Sequence, residues 1–246
     1  MILETGFSAR PRVLCLPAIF LFLSLSMSSM LGQYQEHRSY EPSDARFIHA
    51  GFVQRDFTPR LSNTAPDSLV ISYDRSMPMI GFRQQQFDIA FGYTKFRHSG
   101  ISRETIFFSV SFANEFVISG KKPSTLLFPL VVSTDFSKAE GRGVQGNTFN
   151  VVSAGVGGGL KYRYASDDAD FSIHAFEIVH FSFEGLSTGS GFSAATVAEA
   201  SLLLPTVRVL DGIALGYRFR FQTWSMSNRH FNYRSVSHGP YFGIML

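Results

Sequence analysis

Several residues in the second half of the chain have the side chains of a serine hydrolase. They are His174, Glu177, His180, His230, Ser235, Ser237 and His238. Ser237 and His238 are adjacent, and adjacent side chains of a strand point to opposite faces. No helical periodicity follows any of these residues, whereas a nucleophile elbow needs a turn from strand to helix. We therefore interpret the histidines as surface or loop residues and predict no catalytic site.

Metal and cofactor sites are not predicted either. His174 and His180 would lie about 20 Å apart along a strand, which is too far for one metal ion to bridge. The glycine run 157–159 is not followed by the helix that a phosphate-binding loop requires. Cys15 is the single cysteine, and it lies in a segment that we expect to be removed, so cysteine chemistry is excluded from the mature chain.

A second set of ionisable residues alternates with apolar residues and could line the inside of a barrel. These candidate interior charges are Asp88, Lys161, Arg163, Glu199, Arg218 and Arg220. In an eight-stranded barrel the interior is just wide enough for side chains, and buried charges need partners. We expect the six charges to pair across the interior in place of a hydrophobic core. The functional alternative is a gated ion path lined by the same residues.

The segments that would position these charges follow a two-residue period, most clearly in Ile213–Trp224. Ile213, Leu215, Tyr217, Phe219 and Phe221 share one face, and Ala214, Gly216, Arg218, Arg220 and Gln222 share the other. Such alternation predicts a strand whose two faces meet different surroundings. A wall between lipid and a narrow polar interior has this character.

Eight runs of this kind lie between residue 86 and the C-terminus. They predict an all-β, closed, antiparallel, up-and-down transmembrane β-barrel over residues 86–246, with eight strands and ten as the alternative. Residues 33–85 are polar and rich in loop residues. We expect an irregular segment there, with room for short strands, which could join the wall, fill the interior or lie outside.

Two features bear on what surrounds the wall. Glu177 falls on the apolar face of the run from Phe171 to Phe183, so either a bulge reverses the facing or a carboxylate meets lipid. Aromatic residues near the ends of the runs are expected to form the interface belts of a membrane barrel. They are Tyr93, Phe96, Tyr162, Tyr164, Phe183, Trp224 and Tyr233.

The first 32 residues have the pattern of a secretory signal peptide. Arg10 and Arg12 precede the apolar run Val13–Leu25, and small residues suited to cleavage follow it. The run is shorter than the roughly 20 apolar residues of a spanning helix, which argues against a membrane anchor. The basic residues are not clustered and the formal net charge is only +3, so no nucleic-acid partner is predicted.

The signal, the alternating runs and the apolar C-terminus Phe242–Leu246 resemble small bacterial outer-membrane β-barrel proteins of the OmpA/OmpX-like superfamily. The resemblance is one of pattern and covers residues 86–246. It implies location in the outer membrane of a Gram-negative bacterium, with lipid as a partner. It also implies that the C-terminal strand is read by the barrel-insertion machinery, although Leu246 stands where phenylalanine is commoner.

The expected role is structural, adhesive or weakly pore-forming, without enzymatic activity or a cofactor. Specificity would lie in loops such as 137–146 and 225–234, and the oligomeric state stays open. One alternative is an outer-membrane lipid-modifying hydrolase. A further alternative is a secreted soluble lipocalin-like barrel that binds a ligand. That barrel would turn Phe219 inward and Arg218 outward, because reversing a strand exchanges its faces.

Overall fold

The computed structural model describes residues 45–64, 70–98, 101–141, 148–184, 189–207 and 210–246, and the predicted signal segment lies outside them. Ten strands account for most of these residues. They are β1 (Arg46–Pro59), β2 (Tyr73–Gln84), β3 (Phe87–His98), β4 (Ile101–Lys121), β5 (Ser124–Gly141), β6 (Thr148–Ala165), β7 (Asp170–Glu184), β8 (Ser190–Val207), β9 (Leu210–Met226) and β10 (Tyr233–Met245). A short 3-10 helix, Arg229–Phe231, precedes β10.

No helix in the described part of the chain is both long enough and apolar enough to cross a membrane.

Every strand pairs antiparallel with its neighbours in sequence, and β10 pairs with β1 to close the ring. The closing ladder runs from Phe47 opposite Met245 to Pro59 opposite Tyr233. Closure matters because an open sheet would leave a row of unpaired backbone groups at each edge. The prediction of a closed, antiparallel, up-and-down barrel is confirmed.

The strand count is ten, the stated alternative, and the expectation of eight is wrong. The eight runs predicted from residue 86 onward correspond to β3–β10. The two additional strands, β1 and β2, lie inside the segment 33–85 that was expected to be irregular. Both are full wall strands, paired with each other from Arg46 opposite Gln84 to Phe57 opposite Tyr73.

The strands β1 and β2 are hard to predict from the sequence because the usual facing, with apolar residues outward and polar residues inward, reverses along them. Phe57 and Met77 are apolar but point inward and are buried, whereas Asp74 and Ser76 on β2 are exposed. The two-residue turn into β3 also lacks the usual glycine or asparagine, since Gln85 itself adopts a φ of 49°. Neither the two-residue period nor the turn residues therefore predict the β2–β3 hairpin.

The barrel has two different ends. At the terminal end β1 begins and β10 finishes, and the connections 85–86, 122–123, 166–169 and 208–209 lie there. At the opposite loop end lie the connections 60–72, 99–100, 142–147, 185–189 and 227–232. The predicted specificity loops 137–146 and 225–234 both overlap the loop end, although 142–147 are outside the described residues.

The facing of the wall is apolar outside and polar inside over most of its height. On β9, Tyr217 is 48% exposed, whereas Ala214 is fully buried and Arg218 forms interior ion pairs. The apolar residues exposed around the outside form an exterior belt. Its members include Ile48, Phe52, Ile80, Phe91, Phe108, Phe128, Leu130, Val156, Leu160, Ile173, Val179, Phe181, Leu215, Phe242 and Ile244. This facing is opposite to the one that the lipocalin-like alternative requires.

Glu177 lies on the outside of β7 without any bulge. The ladders of β7 with β6 and with β8 continue in register through this position. The carboxylate is exposed and accepts a hydrogen bond of 2.6 Å from Thr196 Oγ1 on β8. Of the two expected explanations, the exterior carboxylate is the correct one.

The aromatic residues expected to form interface belts fall into two groups. Tyr162, Tyr164 and Phe183 are exposed on the outside, and Tyr93 shares that face of β3 with the exposed Phe91. Phe96, Trp224 and Tyr233 are instead buried inside the barrel. For these three the belt prediction is wrong, because aromatic residues fill the interior near the loop end.

Residues 86–246, the barrel expected from sequence, should fail to close when produced without β1 and β2. Their removal leaves β3 and β10 as open edges. Far-UV circular dichroism and protease resistance in detergent micelles would compare this fragment with residues 45–246. Equal protease resistance of the two fragments would contradict the ten-stranded closure.

Candidate functional site

Four charged side chains from four strands form an ion-pair quartet inside the barrel: Arg83, Asp88, Glu199 and Arg218. Arg83 donates to Glu199 Oε1 at 2.5 Å and to Asp88 Oδ2 at 2.7 Å. Arg218 donates to Glu199 Oε2 at 2.7 Å and to Asp88 Oδ2 at 2.5 Å. Two guanidinium groups and two carboxylates alternate, so the quartet is electrically balanced. Each buried charge therefore has an opposite charge at hydrogen-bond distance.

Aromatic rings and glycines fit around this quartet. Tyr241 on β10 donates a hydrogen bond of 2.8 Å to Glu199 Oε1. A Cβ atom at Gly216 would overlap the Tyr241 ring, and one at Gly81 would overlap the His49 ring. The small residues that alternate with apolar ones in the sequence thus make room for rings that hold the charged groups in place.

A second group of charges lies around Asp135 on β5. Arg220 on β9 donates to Asp135 Oδ2, and Ser109 on β4 donates to Oδ1 at 2.7 Å. His180 Nε2 lies 3.0 Å from Oδ2 and 2.8 Å from Ser133 Oγ. Asp135 is only 2% exposed. Its two oxygens are both occupied by donors, which compensates the cost of burying the carboxylate.

The two remaining candidate charges also form ion pairs. Lys161 contacts Glu115 at 2.7 Å, and Arg163 contacts Asp170 at 2.6 Å. The structure thus places all six predicted charges on inward faces, each beside an opposite charge. It brings Asp88, Glu199 and Arg218 together and keeps Arg220, Lys161 and Arg163 in separate pairs.

The sequence reasoning missed several of the partners. They are Arg83, Glu115, Asp135 and Asp170. Arg83 lies on β2, which was not recognised as a wall strand. The other three lie near the ends of alternating runs, where a two-residue period alone does not separate strand from loop.

Aromatic residues fill the interior near the loop end. This interior aromatic cluster comprises Phe57, Tyr73, Phe149, Trp224 and Tyr233. Phe57 on β1 and Phe149 on β6 come from opposite sides of the ring of ten strands, yet their ring centroids are 4.9 Å apart. Phe57 also stacks on Tyr233 at 4.7 Å. Rings from across the barrel therefore meet in its centre.

An interior cavity of ≈ 130 Å³ lies among the charges. It is lined by residues that include Arg55, Arg83, Asp88, Lys161, His174, Glu199, Arg218 and Arg220, together with Met77 and Met79. Gln85 and Gln86 of the β2–β3 turn also line it. The space is large enough for a few water molecules or one small solute, and its lining combines these charged and polar groups with apolar side chains.

The residues considered for a hydrolase are not assembled into one site. His238 lies outside, where its Nδ1 is 2.7 Å from the Tyr217 hydroxyl, whereas Ser237 lines the cavity. His174 faces the interior and stacks on Phe176 at 5.1 Å. His230 lies in the 3-10 helix at the loop end. The opposite facing of Ser237 and His238 is as predicted. The expectation of surface or loop histidines is wrong for His174 and His180, which lie on inward faces of β7.

A serine, a histidine and an aspartate do meet elsewhere, at Ser133, His180 and Asp135. In a catalytic triad the acid holds one imidazole nitrogen and the serine contacts the other. Here both partners approach the same atom, His180 Nε2, and Nδ1 has no hydrogen-bond partner among the described residues. All three residues are almost completely buried. This arrangement of contacts therefore differs from that of a catalytic triad.

One Gly-x-Ser-x-Gly spacing occurs in the chain, at Gly185, Ser187 and Gly189. It connects β7 to β8, and residues 185–188 are outside the described residues. A nucleophile elbow connects a strand to a helix, so the spacing lacks the context that would make it a hydrolase motif.

The solved structures that match this chain are only distantly similar to it. Neisserial surface protein A is 13% identical, with a TM-score of 0.33, and the match covers 84% of this chain and 100% of that one. The β domain of the Bordetella autotransporter BrkA is 11% identical, with a TM-score of 0.34, covering 82% and 100%. Ail, the attachment invasion locus protein of Yersinia pestis, in complex with a heparin analogue, is 10% identical, with a TM-score of 0.26, covering 82% and 99%. No protein-family model matches the sequence, and no curated protein matches it.

Glu199→Gln should lower the free energy of unfolding by about 3–5 kcal/mol, because it leaves two arginines with one carboxylate in a buried site. Denaturant unfolding of the barrel in detergent measures the change. Glu140→Gln is the matched control, since the Lys138–Glu140 pair is more exposed and a surface pair contributes about 1 kcal/mol or less. Equal effects of the two substitutions would contradict the role of the quartet.

Proposed function

We propose that this chain is an integral outer-membrane β-barrel with a structural or adhesive role, whose interior is closed to ion flow. The observation that carries the proposal is the division of its surfaces. Apolar side chains project outward from every side of the ring, and ion-paired charges lie within it. A protein in water would gain nothing from this arrangement, whereas lipid outside and a narrow interior both require it.

The exterior belt supports the membrane location. Val179 on β7 and Val156 on β6 are each 61% exposed, and Phe52 on β1 is 67% exposed. A continuous apolar surface of this extent on a soluble monomer would promote aggregation. The strands, at 12 to 21 residues, exceed the roughly 9–11 residues that a tilted strand needs to cross a bilayer.

The interior aromatic cluster supports a closed barrel. The described part of the loops packs over it, since Phe231 of the 3-10 helix contacts the cluster. Asn63 donates to the His230 carbonyl at 3.0 Å, and Asn232 donates to Ser62 Oγ at 3.1 Å. These contacts tie the connection after β1 to the connection before β10. The ion pairs below the cluster further fill the path, which favours the structural network over the ion path.

The exposed loop end is then the surface available to partners, and adhesion through it is part of the proposal. The C-terminal strand supports recognition by the barrel-insertion machinery, because Phe242, Ile244 and Leu246 all lie exposed on its outer face. We further propose that the barrel is not an enzyme. The single-nitrogen contact of His180 with both Ser133 and Asp135 supports this view.

Val179→Arg tests the lipid-facing surface. Near the middle of the bilayer it should lower the free energy of unfolding by about 2–4 kcal/mol, measured by urea unfolding in phospholipid vesicles. Thr148→Arg, at the exposed start of β6 near the loop end, should cost no more than about 1 kcal/mol, because the penalty falls off toward the interface. A Val179→Arg barrel as stable as the Thr148→Arg barrel would argue against the membrane location.

Closure predicts that the barrel does not conduct. Planar bilayers containing the purified protein should show the same baseline current as bilayers without it, because opposite walls meet through the Phe57 and Phe149 rings. Stable, voltage-independent conductance steps that appear only with the protein would overturn the closed interior and restore the pore-forming role.

A further inference from the structure

Arg55 on β1 is a buried cation whose hydrogen bonds are incomplete. Its Nε donates to Ser235 Oγ at 3.1 Å and its Nη2 donates to Ser137 Oγ at 2.7 Å. The side chain is 3% exposed, and Nη1 has no hydrogen-bond partner among the described residues. A buried donor without an acceptor is costly, especially on a charged group. The site therefore lacks an acceptor beside Nη1.

The charge of Arg55 is also uncompensated. Among the residues that the structure describes, Arg55 forms no ion pair, and Asp135, the acidic residue of this region, is already bound by Arg220, Ser109 and His180. The quartet is balanced by itself, with two arginines and two carboxylates. Asp135 is thus the nearby carboxylate for two guanidinium groups, those of Arg55 and Arg220. It balances the charge of Arg220, and the charge of Arg55 is left without a carboxylate of its own.

The protein has no internal way to remove this charge. An arginine does not lose its proton in a protein, unlike a lysine or a histidine. The serine hydroxyls that bind Arg55 are neutral. The Phe57 and Phe107 rings lie 5.7 and 5.4 Å from its Cζ atom, but a ring face stabilises a cation far less than an anion does. Phe107 is moreover shared with Arg220, at 5.4 Å.

The interior cavity supplies room for the missing group. Arg55 lines it together with Arg220, Ser109, Ser235 and Ser237. Its volume of ≈ 130 Å³ is roughly four times the 30 Å³ that a water molecule occupies in the liquid. Since the lining extends to Gln85 and Gln86, the space reaches the turn at the terminal end, which gives a small solute a direction of entry.

We propose that the cavity binds one compact monovalent anion, chloride or a short carboxylate, against Nη1 of Arg55. The anion accepts the unused hydrogen bond and neutralises the charge of Arg55. The Ser235 hydroxyl accepts from Arg55 Nε, so its own proton is available to donate to the anion. This site is independent of the proposed function, because it depends on the interior contacts and not on what the loops bind.

Thermal unfolding of the full barrel in detergent tests the site. Sodium chloride, formate and acetate would be titrated at constant ionic strength against a bulky monovalent anion, such as a sulfonate buffer too large for the cavity. The melting temperature should rise with the concentration of at least one compact anion and follow a binding curve. The comparison of chloride with the two carboxylates identifies the ligand class.

Variants distinguish the site from general salt effects. Arg55→Met should abolish the anion-specific rise in melting temperature, and Arg55→Lys should retain part of it because the charge remains. Arg234→Met is the matched control, since Arg234 is exposed, and it should leave the rise unchanged. If Arg55→Met does not fold, chloride-35 NMR line broadening by the wild-type barrel, reduced in Arg55→Lys, gives the same information. A wild-type melting temperature that is the same in every anion, with no line broadening and no saturable effect of formate or acetate, would overturn the proposal.

Discussion

The constraint on which the rest of this structure depends is the burial of charge inside a narrow ring of strands. Glu199 contacts Arg83 on β2 and Arg218 on β9, so strands four places apart in the ring are joined through the interior. Backbone ladders join only adjacent strands, and the outward side chains contact the surroundings. The quartet and the Asp135 group therefore fix opposite walls of the barrel to each other in its middle, as the interior aromatic cluster does near the loop end. Removing one member leaves its partners as unpaired buried charges, which destabilises the fold more than loss of the contact itself.

The interior is not uniform along the barrel axis, and this explains why β1 and β2 are hard to recognise in the sequence. Charges occupy the middle, whereas Phe57, Phe149 and Trp224 meet near the loop end. In that region the outward face becomes polar, which agrees with the proposed membrane location, where this part of the wall would lie beyond the hydrocarbon. The facing rule thus inverts within single strands. An alternating strand whose two faces exchange character part-way, as β1 does, has no clear period when read as a whole.

The sequence predicts the wall from β3 to β10 because those strands keep one period over most of their length. It also predicts which charges point inward, since Arg218 and Arg220 could only share the face of Ala214 and Gly216. It does not predict which charges meet, because alternation reports the face of a strand and not the strand across the ring. The partner of Arg220 is Asp135, 85 residues away. That Arg55 forms no ion pair with any described residue is equally impossible to predict from the sequence. Which inward side chains meet depends on the number, tilt and register of the strands, and these are linked to one another in a closed barrel.

The position of Glu177 shows why the strand register is kept although it leaves one carboxylate on the outside of the barrel. A bulge before it would turn the carboxylate inward, but a one-residue shift moves every later side chain of the strand to the other face. Val179, Phe181 and Phe183 would then point into the interior, and His180 and Ser182 would point out. His180 would leave Asp135 with one donor fewer in a buried site. An outward carboxylate costs less in lipid than a basic group does, and Thr196 provides it with a hydrogen bond. The uninterrupted ladder therefore preserves the interior charge balance at the expense of a single polar group on the exterior belt.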